Sequence, residues 1–294
     1  MTDRPAWDRE GRDWPNRAHS RFVAAAGLRW HVQVAGRGPV LLLLHGTAAA
    51  THSWRDLLPR LAERFTVVAP DLPGHGFTAP PSAQGLTLQG MAAATRALLE
   101  VLDLRPEVVA AHSAGAAVAL RMALDGAIDP RLIVALNGAL TPMGRENADF
   151  FTRTAKLLAG LPFVPRLFAW GAGNTGVANR LLRDTGSTIS AEGVEFYTRL
   201  LRKPTHLAAA LGMMAAWDLR PLLRDLPRLR ATLVLVVGTN DRAVPAAEAE
   251  RVRAILPAAR IHPMPGLGHL AHEERPEEVA RLIADLAEAA RAAA

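Results

Sequence analysis

Five residues, Ala111-His-Ser-Ala-Gly115, constrain the fold of this chain more than any others. They follow a short apolar run, Val108 to Ala110, and open an alanine-rich helical pattern that reaches Leu124. A serine between small residues at a strand-to-helix junction reads as a nucleophile elbow. The turn is tight enough that a side chain beyond a methyl at either flank would clash, and Ser113 is expected in a strained backbone conformation. That strain holds the hydroxyl above the sheet edge, with a helix N-terminus beneath it. Small-x-Ser-x-Gly strings also arise by chance in an alanine-rich chain, and here Ala111 replaces the usual first glycine. The surrounding sequence decides between these readings.

Four other stretches supply that context. Val40 to Leu44 is a continuous apolar run, the pattern of a strand buried on both faces, and it ends in His45-Gly-Thr47. Phe65 to Ala69 is a second such run, and it ends in the breaker-rich turn Pro70-Asp-Leu-Pro-Gly-His-Gly76. A helical segment, about Trp54 to Arg64, lies between them. Thr232 to Val237 leads to Gly238-Thr-Asn-Asp241, and Ile261 to Met264 leads to Gly266-Leu-Gly-His269. A nucleophile, an acid and a histidine, each just past a strand, follow the chain order Ser…Asp…His.

The residues His45-Gly46, Asp71-x-x-Gly74-x-Gly76, His112-Ser113-x-Gly115, Asp241 and Gly268-His269 resemble the α/β-hydrolase superfamily. More narrowly, the chain resembles the magnesium-chelatase-associated, hydrolase-like subfamily encoded with bacteriochlorophyll biosynthesis enzymes. The matching stretches include Trp14 to Phe22, Gly27 to Gln33, His52 to Asp56, Leu136 to Leu140, Val164 to Trp170, Met213 to Asp218 and Gly266 to Pro276. The resemblance implies an α/β-hydrolase fold: a mostly parallel eight-stranded sheet, helices on both faces and a helical cap after strand 6. It also implies magnesium chelatase subunits as partners and a porphyrin-like or other small apolar substrate. It does not settle what the subfamily catalyses.

The coarse map agrees. Arg21 to Ala26 and Leu28 to Ala35 read as antiparallel strands joined at Gly27, and Leu86 to Leu102 as a helix with Thr87 at its N-cap. Gly90 stands where a full capping box would want Glu or Gln. The final helix begins at Pro276, with Glu277 and Glu278 suited to its positive end. The hydrolase core is expected over 1–140 and 228–294, with the cap at 141–227. There strand runs vanish and aromatic and methionine residues recur at loose helical spacing, among them Phe168, Trp170, Met213, Met214 and Trp217. Most such residues form a cap's own core, but its underside roofs the site, so these five join His45 and His112 as pocket candidates. A bulky apolar acyl or alcohol group suits such a pocket.

Composition narrows the classes. The chain of 294 residues has no cysteine, so neither a disulfide framework nor a thiol nucleophile is available. The charged N-terminal stretch lacks the apolar run of a secretory signal, and no run approaches the roughly 20 apolar residues of a membrane span. A cytoplasmic protein with at most peripheral membrane contact is expected. The formal charge of +6 is carried by arginines scattered among acids, a solvated surface rather than a nucleic-acid face.

The expected chemistry has Ser113 as nucleophile, His269 as base and Asp241 holding the imidazole's tautomer. After strand 6 only Asn137 is offered, no carboxylate. Backbone N–H groups of Thr47 and Ala114 are expected to form the oxyanion hole. His112 reads as a packing residue beside the nucleophile, His45 as a brace for the oxyanion loop and His75 for the neighbouring turn. His272 lies one turn past His269, but the pair lacks a further ligand cluster, so no metal site and no cofactor is expected. Three functions stay open: a serine hydrolase or acyltransferase, a non-catalytic chelatase accessory or porphyrin-handling protein, and cofactor-free haloperoxidase or lyase chemistry.

Overall fold

Leu41 and Leu43 pack into one apolar cluster and Leu42 and Leu44 into another, so successive side chains of a single run reach opposite faces of a sheet. This is why the run needs no polar residue. The computed structural model describes residues 3–142 and 175–292. Its strands are β1 (Ser20–Ala25), β2 (Leu28–Ala35), β3 (Val40–Leu44), β4 (Thr66–Pro70), β5 (Val108–His112), β6 (Leu132–Leu136), β7 (Thr232–Gly238) and β8 (Arg260–Met264). They form one eight-stranded sheet in the order β1-β2-β4-β3-β5-β6-β7-β8. The β1–β2 and β2–β4 pairings are antiparallel, and every pairing from β4 to β8 is parallel.

The described α-helices are α1 (Trp7–Glu10), α2 (Leu57–Leu61), α3 (Leu88–Leu102), α4 (Ala114–Leu124), α5 (Thr175–Asp184), α6 (Ala191–Leu201), α7 (Pro204–Ala216), α8 (Arg220–Asp225), α9 (Ala247–Ile255), α10 (Ala271–Glu274) and α11 (Pro276–Ala292). Leu57, Leu58 and Leu61 of α2 join Val279 and Ile283 of α11 against one face of the sheet. Met91 and Leu99 of α3 and Val118 and Leu120 of α4 cover the other. Each such side chain contributes about 1.5–3 kcal/mol relative to exposure. Both sheet faces are therefore closed, and chemistry is left to the edge where the parallel strands end.

Local signals explain most boundaries. Ala26 and Gly27 both take positive φ, +50° and +71°, the two-residue turn that matches strand twist. Thr87 Oγ1 accepts the Gly90 N–H at 3.1 Å, a cap completed without the rest of the capping box. The helix starts at Leu88, because residues Gln84–Leu86 form a tighter 3₁₀ turn. The segment between β3 and β4 is also shorter than its sequence suggests: a 3₁₀ turn at Thr51–Trp54, then α2. Pro59 is accommodated because it lies in the first turn of α2, where an N–H has no helical partner.

Between β6 and β7 the described residues include the helices α5 to α8, with a small apolar centre of Ala178, Val194, Leu201 and Leu207. Phe168 and Trp170 lie outside the described residues. Trp14 reaches from the N-terminal segment to Phe196 of α6, and its indole N–H donates to Thr51 Oγ1 at 2.9 Å. No helix among the described residues is long and apolar enough to cross a membrane.

Candidate active site

Because β3, β5, β6, β7 and β8 run parallel, their C-terminal ends line one edge, and each delivers a polar residue there. Ser113 follows β5 with φ 50° and ψ −119°, a strained conformation for a residue with a Cβ. Its N–H continues the sheet ladder to the Leu136 carbonyl at 3.0 Å, and its carbonyl receives Ala116 and Ala139 N–H, each at 3.1 Å. The small neighbours are required. A Cβ on Gly115 would lie 2.3 Å from the Leu44 carbonyl oxygen, and one on Gly46 would lie 3.0 Å from Ser113 Cβ. Ala111, standing where glycine is usual, is fully buried in the apolar cluster facing α4.

The histidine and the acid converge on this hydroxyl. His269 Nε2 lies 3.1 Å from Ser113 Oγ, and His269 Nδ1 lies 2.8 Å from Asp241 Oδ2. With the Nδ1 proton directed at the carboxylate, Nε2 is left to accept the serine proton. Asp241 Oδ1 accepts N–H groups from Ala243 and Val244, both at 2.8 Å, and Oδ2 also accepts Asn137 Nδ2 at 2.7 Å. Ser113 is half-buried, so its hydroxyl stays reachable.

Thr47 and Ala114 lie beside Ser113, and neither N–H has an acceptor among the described residues. Thr47 Oγ1 faces Met213 Sδ at 3.9 Å, which brings α7 over the loop after β3. Met213 is buried, whereas Met214 is exposed on the same helix. Trp217 is half-buried, and its indole N–H donates to the Leu86 carbonyl at 3.0 Å.

Three further histidines, His45, His112 and His75, each bond to a backbone carbonyl, whereas His272 bonds to a side-chain hydroxyl. His45 Nδ1 donates to the Gly46 carbonyl at 2.8 Å while Nε2 accepts Leu72 N–H at 2.9 Å, so neither nitrogen is free for a ligand. Burial lowers its pKa. His112 Nε2 donates to the His269 carbonyl at 2.9 Å, and burial pushes His112 well below the ordinary histidine range. His75 Nδ1 donates to the Pro73 carbonyl at 3.1 Å, within the turn after β4. His272, brought down to about 3 by burial, meets Ser53 Oγ at 2.8 Å. No group of three or more histidine or carboxylate side chains among the described residues is arranged to hold a metal ion.

Several contributors have no signature in the sequence. Tyr197 of α6 packs with Ala49 and Leu270, next to the site, and donates from its hydroxyl to Glu273 Oε1 at 2.7 Å. Glu273 also pairs with Arg55 and accepts Ser53 Oγ at 2.7 Å. His206 of α7 accepts Gly76 N–H at 3.0 Å and donates to the Ala48 carbonyl at 3.1 Å. Ala48 has φ 60°, so an imidazole from the helical insertion braces the strained loop next to Thr47. The sequence shows the apolar content of these helices, not what they touch.

A second serine–histidine–aspartate chain shows what a hydrogen-bond pattern alone leaves out. Ser20 Oγ lies 3.0 Å from His31 Nε2, and His31 Nδ1 lies 2.8 Å from Asp71 Oδ2. Yet Ser20 is a strand residue paired with Gln33, whose amide donates to the same hydroxyl at 3.2 Å. It has no positive φ and no helix N-terminus behind it. Asp71 meanwhile accepts Thr51 and Phe77 N–H at 2.7 and 2.9 Å. That network ties the β1–β2 hairpin to the turn after β4. The elbow sets Ser113 apart.

The chain belongs to the alpha/beta hydrolase family, whose family model matches residues 41–282. It is 38% identical over 276 residues to the magnesium-chelatase 30 kDa subunit of Rhodobacter capsulatus, covering 93% of this chain and 96% of that protein. It is also 28% identical over 254 residues to the pimeloyl-[acyl-carrier protein] methyl ester esterase of Xanthomonas oryzae pv. oryzae, covering 84% and 96%. An alpha/beta hydrolase fold protein from Burkholderia ambifaria shares the fold with a TM-score of 0.74 at 24% identity, over 91% of this chain and all of that one.

Proposed function

We propose that this chain is a serine-dependent hydrolase or acyltransferase that acts on an ester or related carbonyl of a bulky apolar substrate. The observation that carries the proposal is the relay Asp241–His269–Ser113, with spacings of 2.8 and 3.1 Å, set on a strained elbow. Ser113 Oγ attacks the carbonyl carbon as His269 Nε2 takes its proton, and Asp241 stabilises the resulting imidazolium. The N–H groups of Thr47 and Ala114 receive the oxyanion, each donor worth about 3 kcal/mol in the transition state. His269 then protonates the leaving group. Water, or another alcohol, repeats the sequence in reverse on the acyl-enzyme.

The helices between β6 and β7 act as a cap over 141–227, completing a core made of 1–140 and 228–294. Met213 against Thr47, and Tyr197 with Ala49 and Leu270, support an apolar enclosure for the substrate. The likeness to a magnesium-chelatase subunit supports a place in bacteriochlorophyll biosynthesis, linked to magnesium chelatase. It equally favours a second reading, a non-catalytic chelatase accessory or porphyrin-handling protein.

A fluorophosphonate probe separates the two. Labelling of wild type at Ser113, and none of Ser113→Ala, supports catalysis; an unlabelled wild type counts against it. Full restoration of pigment synthesis in a deletion strain by Ser113→Ala would make binding the physiological role.

A further inference from the structure

One short turn of the helical insertion touches the neighbours, on both sides, of both Asp241 and His269. The turn is Thr185 to Ser190, between α5 and α6. On the acid side, Arg242 N–H donates to the Thr185 carbonyl at 3.0 Å and Asn240 Nδ2 to the Gly186 carbonyl at 2.9 Å. On the histidine side, Leu270 N–H donates to Ser187 Oγ at 2.9 Å. Glu274 accepts Gly268 N–H on one oxygen, at 2.8 Å, and Thr188 N–H on the other, at 3.2 Å.

The contact leaves no room for adjustment. A Cβ on Gly186, which has φ +86°, would lie 2.0 Å from the Asn240 carbonyl oxygen, and one on Gly268 would lie 2.4 Å from the Gly186 carbonyl carbon. Ser187 itself is buried. Backbone packed against backbone this closely moves as a unit, because no flexible side chain lies between the surfaces.

We infer that Ser187 and Glu274 are positioning residues for the relay: the turn fixes the distance between Asp241 and His269, and so makes relay alignment depend on docking of the insertion. This rests on the serine-hydrolase reading for its consequence in catalysis, but not for its geometry. Ser187 acts by holding Leu270 N–H, and with it the strand exit that carries the imidazole. Neither residue touches the reacting atoms.

The test uses the full chain and two readouts. The first is the far-downfield proton resonance of His269 Nδ1–H, identified by its absence in His269→Ala. The second is the rate at which a fluorophosphonate labels Ser113. In Ser187→Ala the resonance is expected to broaden or move upfield and the labelling rate to fall about tenfold, with the protein still folded. Glu274→Gln, which keeps the shape but replaces one of the two accepting oxygens with an NH2 that cannot accept, is expected to shift the same resonance less and carries the test if Ser187→Ala fails to fold. A role in stability alone would lower the melting temperature and leave resonance and rate where they were. An unmoved resonance in a folded variant overturns the inference. A wild type that shows the resonance yet takes no label leaves the positioning intact and overturns the hydrolase reading.

Discussion

Asn137 donates from Nδ2 to Asp241 Oδ2 at 2.7 Å, the same oxygen that faces the His269 imidazole. The strand between those that carry Ser113 and Asp241 thus contributes a neutral donor to the carboxylate oxygen that the histidine meets. Asn137 has φ 48°, a conformation asparagine tolerates better than most residues.

Asn137→Gly isolates the amide, since glycine accepts that backbone. A hydrogen bond to a buried charge is worth about 1.5–3 kcal/mol, and stability by urea unfolding is expected to fall within that range. Fluorophosphonate labelling should slow without being lost. An unchanged labelling rate would place the amide in folding only.

The strain at Ser113 predicts an ordering between two inactive variants. Both Ser113→Ala and Ser113→Gly lose the hydroxyl, but only glycine relieves a positive φ. Ser113→Gly is expected to be more stable than Ser113→Ala by about 1 kcal/mol in urea unfolding. Equal stabilities would mean that the elbow stores no strain.

Much of this arrangement was readable in the sequence because it rests on local rules. The run at β3 reads as a doubly covered strand, the small residues Ala111 and Gly115 read as the flanks of a tight turn, and Ser113, Asp241 and His269 each read as lying just past a strand. What could not be read depends on contacts between segments distant along the chain. Ser187 looks like any loop serine until Leu270 N–H is seen to need an acceptor. His206, in a helix of alanines and methionines, has no local reason to bridge Gly76 and Ala48. The helix expected at about residues 54–64 is confined to Leu57–Leu61, the turn that packs against α11, after a 3₁₀ turn at Thr51–Trp54.

Acid sensitivity follows from buried neutral histidines. Burial lowers His206 to about 4, against 6.5 when exposed. The unfolded chain therefore binds this proton more readily, so its contribution is intact above pH 6.5 and declines as pH falls toward 4. Over that interval the loss is about 3 kcal/mol. His206→Gln, which can still accept Gly76 N–H and donate to Ala48, should flatten the pH dependence of the urea midpoint in this window. A slope equal to wild type would refute the assignment.

The Arg55–Glu273 ion pair predicts an asymmetric response. Both side chains are buried, and Glu273 also receives Tyr197 and Ser53. Arg55→Met strands a charge and should cost about 3–5 kcal/mol in thermal or urea unfolding. Adding Glu273→Gln to that variant should recover part of the loss. A double variant no better than the single one would mean the charge is neutralised some other way.

His206 and Ser187 together bear on how a fold like this one diversifies. Both belong to the stretch between β6 and β7, yet each is tied to a loop of the sheet scaffold. A foreign insertion grafted here, to give the scaffold a new substrate, would have to bring its own replacements for that imidazole and that hydroxyl. The two halves are therefore not interchangeable modules: exchanging the stretch between β6 and β7 also removes the braces of two scaffold loops.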